Sequence, residues 1–326
     1  MELDEIEKTW VRSGDEQFEA VLLELRARHR ILRLADGRIA KTVINSGGLK
    51  ETDTDAGNQV VRSTERIRLV QETLPRFGHD GILRTLGPCT DAFGDVGFLC
   101  EPLEMHEYDG RVHPKVPTIR AFLIACSHLA SAAGILHLQN LVHGDITPHN
   151  VGFRGSEPVL LDFEMLTIAG ETKPWHTPKD GRRWLCCTPA CASPEQVHGY
   201  EIFPYSDVYC LGLTMLSWVS GYVGVHRSHG QPKEDSLSMC ANGVYPFWER
   251  VAHRLACPEV TEFLFVAIQR CPYDRYRDGT EFARTAIQLL QTLPTKVLDQ
   301  LIEDRQTNLA LPWYVSSSAS TIEINR

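Results

Sequence analysis

Between Leu136 and Val151 the chain reads Leu-His-Leu-Gln-Asn-Leu-Val-His-Gly-Asp-Ile-Thr-Pro-His-Asn-Val. Asp145 and Asn150 stand five residues apart, with His143 and Gly144 just before them, and a dozen residues on Leu160-Leu161 runs into Asp162-Phe163-Glu164. A carboxylate held in a loop can accept a proton. Carboxylate and amide oxygens are also the ligands that a hard cation such as magnesium prefers. Taken singly, each residue has a plainer reading, because an aspartate in a polar loop is usually a turn or a cap. The spacing of all three, between a helix and an apolar strand, argues for a site.

Several elements must position these groups. The apolar run Ile119 to Gln139 predicts a helix that ends just before the loop, and Pro158 to Leu161 a short strand that ends at Asp162. Ser206 to Ser220 is almost wholly apolar and predicts a central helix; Pro258 to Arg270 and Thr280 to Leu293 predict two more. In the first hundred residues, alternating apolar positions flank Ala35-Asp36-Gly37 and predict a hairpin over Arg30 to Ile44. Asn58 to Leu74 has helical spacing, while Gly81 to Leu86 and Gly97 to Cys100 look like strands. From Pro294 onward a polar tail with a serine cluster reads as an appendage.

The loop and strand together resemble the catalytic loop and metal-binding motif of the protein kinase superfamily, H-x-D-x-x-x-x-N followed by D-F-x. The resemblance continues. Ser193-Pro194-Glu195 is similar to the A-P-E that ends an activation segment. Ser206-Asp207-Val208-Tyr209-Cys210-Leu211-Gly212 is similar to the helix whose aspartate holds the catalytic loop, and Asp274-Arg275 to the region whose arginine pairs with the A-P-E glutamate. A buried Glu195–Arg275 ion pair is therefore expected. Upstream, Lys41 resembles the lysine of V-A-I-K, Glu65 is its candidate helix partner, and Gly78 to Leu83 resembles the turn after that helix.

The resemblance implies an α+β, bilobal protein-kinase-like fold. Residues 1–102 would form a small antiparallel-sheet lobe with one main helix, 103–293 a larger and mostly helical lobe, and 294–326 a tail. It further implies ATP and Mg²⁺ as cofactors and a protein substrate. Asp145 would be the base, Asn150 and Asp162 the metal ligands, and Lys41 the phosphate contact. Val21, Ile39, Glu101 and Leu103, with Lys41 and Glu65, would line the nucleotide.

Several positions depart from the pattern. Gly14 to Val21 has the register of the glycine-rich loop, but Glu16 and Glu19 stand where glycines belong, and an N-terminal helix from Gly14 to Arg28 is the other reading. Ile39 replaces the alanine of V-A-I-K. Thr147 replaces the catalytic-loop lysine, and Gly144 the arginine that answers a phosphorylated activation segment. Glu164 replaces the last glycine of D-F-G. These departures raise a pseudokinase scaffold as one alternative. Asp-Phe-Glu with His-Gly-Asp raises another, a choline-kinase-like small-molecule kinase.

Composition excludes rather than identifies. With 326 residues, 43% of them hydrophobic and 23% charged, the chain can bury a sizeable core. A formal net charge of −9 disfavours nucleic acid as the main partner, since phosphate backbones select basic surfaces. The acidic start Met1 to Glu7 does not read as a signal peptide, and Ile119 to Leu136, broken by Arg120 and His128, reads as a buried helix rather than a bilayer span. The ten scattered cysteines suit reduced thiols, so a cytoplasmic protein without membrane partners is expected. Cys186, Cys187 and Cys191 form one tight cluster, readable as loop packing, a redox-sensitive thiol or, at lower weight, a metal site.

Overall fold

The computed structural model describes residues 8–25, 29–44, 78–106, 108, 110–171, 183–184, 188, 190–222, 248–302 and 323–324. The chain forms two compact units, Met1–Leu103 and Glu104–Arg326.

In the first unit six antiparallel strands close into a barrel: β1 (Lys8–Ser13), β2 (Glu16–Leu25), β3 (His29–Leu34), β4 (Ile39–Val43), β5 (Thr85–Asp91) and β6 (Val96–Cys100). Their order around the barrel is β1-β2-β3-β4-β6-β5, and β1 meets β5 through Val11 opposite Asp91. The alternation of each strand sends Val11, Ala20, Leu32, Leu34, Ala40, Cys89 and Leu99 into one core. The β3–β4 hairpin turns at Asp36-Gly37 as its sequence predicts.

A polar cluster ties this barrel together. The buried carboxylate of Asp91 accepts from Thr42 Oγ1 (2.7 Å), from Phe93 N–H (2.9 Å) and from Asp95 N–H (3.0 Å). Arg30 pairs with both Asp91 and Asp95 while its guanidinium lies 4.1 Å from the Phe93 ring centre. The β5–β6 turn is thereby fastened to β3 and β4.

Two expectations for this unit are corrected. Gly14 to Val21 is not the start of a helix but the turn and second strand of a hairpin. Gly14 sits in the β1–β2 turn at φ 59°, and Glu16 and Glu19 are strand residues opposite Ser13 and Trp10. The pairing of Lys8–Ser13 with β2 decides this. The strand expected over 81–86 lies instead at Thr85–Asp91; Ile82 and Leu83 are buried before it, and the strand ends in an aspartate that is buried because its partners satisfy it. The helix expected over 58–74 lies outside the described residues.

The second unit is mostly helical. Its elements are α1 (Ile119–Leu138), β7 (Leu141–Val142), β8 (Val151–Arg154), β9 (Glu157–Leu160), β10 (Thr167–Ile168), α2 (Pro194–His198), α3 (Pro204–Ser220), α4 (Trp248–Leu255), α5 (Pro258–Ala267), α6 (Gly279–Thr292) and α7 (Thr295–Leu298). Short strands β11 (Arg183–Trp184) and β12 (Glu323–Ile324) also pair. Thr118 caps α1 by accepting from Ala121 N–H at 3.1 Å. Helix α1 is long and apolar enough to cross a bilayer, yet it packs on β9, α3 and α6, with Phe122, Leu123, Leu129 and Leu136 fully buried.

At the α1–α6 crossing, a Cβ on Gly279 would stand 2.4 Å from the Ala130 carbonyl oxygen and 2.6 Å from Gly134 N. Two glycines therefore set how closely these helices approach. Residues past Pro294 begin by docking: Ile119 N–H donates to the Gln300 carbonyl (3.1 Å), Ile302 N–H donates to the Pro117 carbonyl (2.9 Å), and Leu298 and Ile302 are buried.

Candidate active site

Helix α1 ends at Leu138, and the chain returns through β7 into the loop that carries His143, Gly144 and Asp145. This loop is held by side chains distant in sequence. Asp207, fully buried near the start of α3, accepts from His143 N–H at 2.7 Å and Gly144 N–H at 2.9 Å. It also accepts from His137 Nε2 at 3.0 Å. Gly279 N–H donates to His137 Nδ1 at 2.9 Å, which places the His137 proton on Nε2. Burial alone would raise the Asp207 pKa; the hydrogen bonds from His137 and from the Gly144 N–H hold it below the usual carboxylate value.

His143 links the loop to the strand that delivers Asp162. Its Nε2 donates to the Leu161 carbonyl at 2.8 Å, and its Nδ1 accepts from Asp145 N–H at 3.3 Å. A carbonyl can only accept and a peptide N–H can only donate, so this ring is the neutral Nε2–H tautomer. Its ring centre lies 4.9 Å from that of the buried Phe163, the two planes tilted by 54°.

The carboxylate of Asp145 is oriented at both oxygens. Oδ1 accepts from Thr188 N–H at 2.9 Å, and Oδ2 accepts from Asn150 Nδ2 at 3.1 Å. The same Nδ2 donates to the Asp145 carbonyl at 2.9 Å. Asn150 thus turns its amide nitrogen to Asp145, which leaves Oδ1 as the atom for a cation. Leu161 N–H donates to the Asn150 carbonyl at 2.9 Å, so the chain segments carrying Asn150 and Asp162 are directly bonded.

Asp162 takes a left-handed backbone conformation at φ 58°, ψ 68°, a region that aspartate tolerates better than most residues, and a 3₁₀ turn Phe163–Met165 follows. Among the described residues no group of three or more His, Cys, Asp or Glu could cage a metal. One carboxylate and one amide oxygen are nonetheless the sparse protein donor set that magnesium uses when phosphates and water complete its shell. In the cysteine cluster, Cys191 is buried and Cys186 and Cys187 lie outside the described residues.

The remaining predicted residues belong to the first unit. Lys41 stands on β4 opposite Ile31 and Phe98, and Ile39 shares its strand face, while Ala40 and Thr42 face the barrel interior. Val21 on β2 lies opposite Arg33, which in turn lies opposite Ile39, so Val21, Ile39 and Lys41 share the outer face of one sheet. Arg84 N–H donates to Glu101 Oε1 at 3.0 Å. Leu103 is the last residue of the unit. Glu65 lies outside the described residues.

No protein-family model matches the chain. Curated proteins do. It is 26% identical over 200 residues to a DNA damage-responsive serine/threonine-protein kinase, RqkA, of Deinococcus radiodurans, covering 59% of this chain and 29% of that one. It is 32% identical over 93 residues to Aurora kinase B of Drosophila melanogaster, covering 28% and 26%. It is 27% identical over 157 residues to the human serine/threonine-protein kinase SBK2, covering 44% and 42%. The chain is a divergent relative of protein kinases. It spans less than half the length of each of these three kinases, at 29%, 26% and 42%.

The departures from the kinase pattern acquire structural reasons. Gly144 has φ 75°, imposed because Asp207 draws two successive N–H groups to one carboxylate. Thr147, where kinases carry lysine, is buried and its Oγ1 accepts from Asn150 N–H at 3.2 Å, capping the 3₁₀ turn Pro148–Asn150. Glu164 lies inside the Phe163–Met165 turn and is absent from the positive-φ residues, so its position makes no demand for glycine in this conformation.

The expected Glu195–Arg275 pair is present and bidentate, at 2.8 and 3.1 Å, with Arg275 also donating to the carbonyls of Gln269, Arg270 and Tyr205. Sequence reasoning passed over His137 and Gln196. The second carried a readable signal, because Ser193-x-x-Gln196 has the form of a capping box, which α2 indeed shows. The first carried none, since a histidine on a buried helix ordinarily has a packing role.

Proposed function

We propose that this chain catalyses ATP- and Mg²⁺-dependent phosphoryl transfer to serine or threonine hydroxyls of a protein substrate. The observation that carries the reading is the double anchoring of Asp145 by Thr188 N–H and Asn150 Nδ2, which aims a carboxylate without neutralising it. Asp145 would take the proton of the attacking hydroxyl. Asn150 and Asp162 would hold Mg²⁺, which when bound neutralises charge on the phosphates. Lys41, paired with Glu65, would contact the phosphates, and Val21, Ile39, Glu101 and Leu103 would line the nucleotide. Residues 1–102 and 103–293 would act as the two lobes and 294–326 as a tail, in a cytoplasmic protein.

Replacing Asp145 by Asn tests the reading. Phosphate transfer to a generic protein acceptor should vanish while the melting temperature stays within a few degrees. Unchanged turnover would sink the assignment. Titration with ATP, with and without Mg²⁺, separates a working kinase from a scaffold: a ligand selective for the native state must raise the melting temperature. No shift at millimolar nucleotide would favour the scaffold.

A further inference from the structure

The structure assigns Gln196 a positioning role for Asp145, a role that rests on the phosphotransferase reading of the site. The peptide unit that joins Gly144 to Asp145 is held at both ends. Its N–H, on Asp145, donates to His143 Nδ1 at 3.3 Å, and its carbonyl, on Gly144, accepts from Gln196 Nε2 at 2.8 Å. The preceding peptide N–H, on Gly144, is taken by Asp207. Two successive peptide planes leading into Asp145 are therefore fixed, the second of them by the Gln196 side chain.

Gln196 can do this because its own amide has a single orientation. It is buried, and its Oε1 accepts from Ser193 N–H at 2.9 Å and from Ser193 Oγ at 3.1 Å. With the oxygen committed to donors, the NH₂ must face the Gly144 carbonyl. The same residue thus caps α2 and steers the loop 52 residues away. It touches none of the proposed reacting atoms.

Gln196→Glu is the discriminating change. Glutamate keeps the shape and the acceptor for Ser193 but turns a donor into an acceptor against the Gly144 carbonyl. Once protonated, its hydroxyl can donate again. Burial first, and then the charges of Asp207, Glu195 and Asp145, push up the thiol of Cys210, whose Sγ lies 3.5 Å from Gln196 Oε1, and a carboxylate in the place of Gln196 meets the same surroundings. Burial and these neighbours favour its protonated form in mildly acidic solution.

In the full chain, Q196E should lower kcat about a hundredfold at pH 8, the scale of a displaced catalytic group, and recover most of the loss relative to wild type at pH 6. The KM for ATP should stay within about twofold of wild type. Gln196→Met, which cannot donate at any pH, should lose kcat equally at both. Wild-type kcat in Q196E at pH 8, or a loss that ignores pH, would overturn the role.

Amide hydrogen exchange gives a readout independent of activity. Residues 143–151 should exchange roughly tenfold faster in Q196E at pH 8 while α1 keeps its protection; equal exchange in the loop also overturns the role. Should Q196E not fold, Gln196→Asn, which is one methylene too short to reach, takes its place in the exchange measurement, where equal exchange in the loop again overturns the role. A wild-type protein that transfers no phosphate and hydrolyses no ATP refutes the phosphotransferase reading, and the exchange measurement still decides whether Gln196 holds the loop.

Discussion

The carboxylate of Asp207 and the peptide N–H of Gly144 lie 2.9 Å apart, and through this contact helix α3 fixes the residue that precedes Asp145. The same carboxylate serves His143 and His137, so three buried donors depend on one acceptor.

Replacing Asp207 by Ala should therefore be costly well beyond the loss of one contact. Each buried donor left without a partner costs about 1–3 kcal/mol, so a total of at least about 3 kcal/mol is expected from urea denaturation. A cost under about 1 kcal/mol would show that water or a neighbouring acceptor replaces the carboxylate.

Gly144→Ala should destabilise by about 1–2 kcal/mol, because φ 75° is a left-handed conformation that a side chain resists. Gly155 offers a matched control: it has φ 63° and open space around its missing Cβ, but it lies in the β8–β9 turn. Gly155→Ala should cost a similar amount in denaturation and leave turnover unchanged, whereas Gly144→Ala should lower turnover too.

Removing one partner of the Glu195–Arg275 pair should cost about 3–5 kcal/mol, because the other charge is left buried. Arg275→Met strands Glu195 and frees the carbonyls of Gln269, Arg270 and Tyr205. Glu195→Gln keeps the shape and one acceptor, so it should cost less than Arg275→Met. The order of the two denaturation midpoints checks this.

His113 predicts a pH dependence of stability. Burial first, then the neighbouring His106 and Lys115, depress its pKa to about 3. Its Nδ1 accepts from Lys115 N–H at 3.2 Å, and its Nε2 has no hydrogen-bond partner among the described residues. The folded state therefore keeps this ring neutral, while the unfolded chain protonates it below its ordinary value near 6.5. Its contribution is fully present above about pH 6.5 and is lost as pH falls toward 3. Between pH 7 and pH 5 the wild type should lose about 1–2 kcal/mol through this ring. His113→Asn, whose side-chain oxygen can replace Nδ1 toward Lys115, should flatten that slope; an unchanged slope would remove His113 as its source.

Much of the site was legible because its chemistry is local in sequence. Asp145 and Asn150 are five residues apart, Asp162 follows a short apolar strand, and Ser193-Pro194-Glu195 with Asp207 completes the pattern. The Asp36-Gly37 hairpin and helices α1, α3, α5 and α6 were likewise readable from turn chemistry and apolar periodicity.

Long-range pairing was not legible. Gly14 to Val21 could not be recognised as a turn and a strand, because what makes it one is the pairing of Lys8–Ser13 with β2 and the closure of β1 on β5. His137 gave no signal of its own, since Asp207 lies 70 residues away, and the capping box that Gln196 forms gave no hint of its contact with a carbonyl 52 residues away. The sequence by itself determined which groups are available for chemistry: the carboxylates of Asp145 and Asp162, the amide of Asn150 and the oppositely charged Glu195 and Arg275. Only the tertiary structure decided how Asp145 is held, because hydrogen bonds across such separations exist only once α1, α2, α3 and α6 pack, and packing leaves no local period to read.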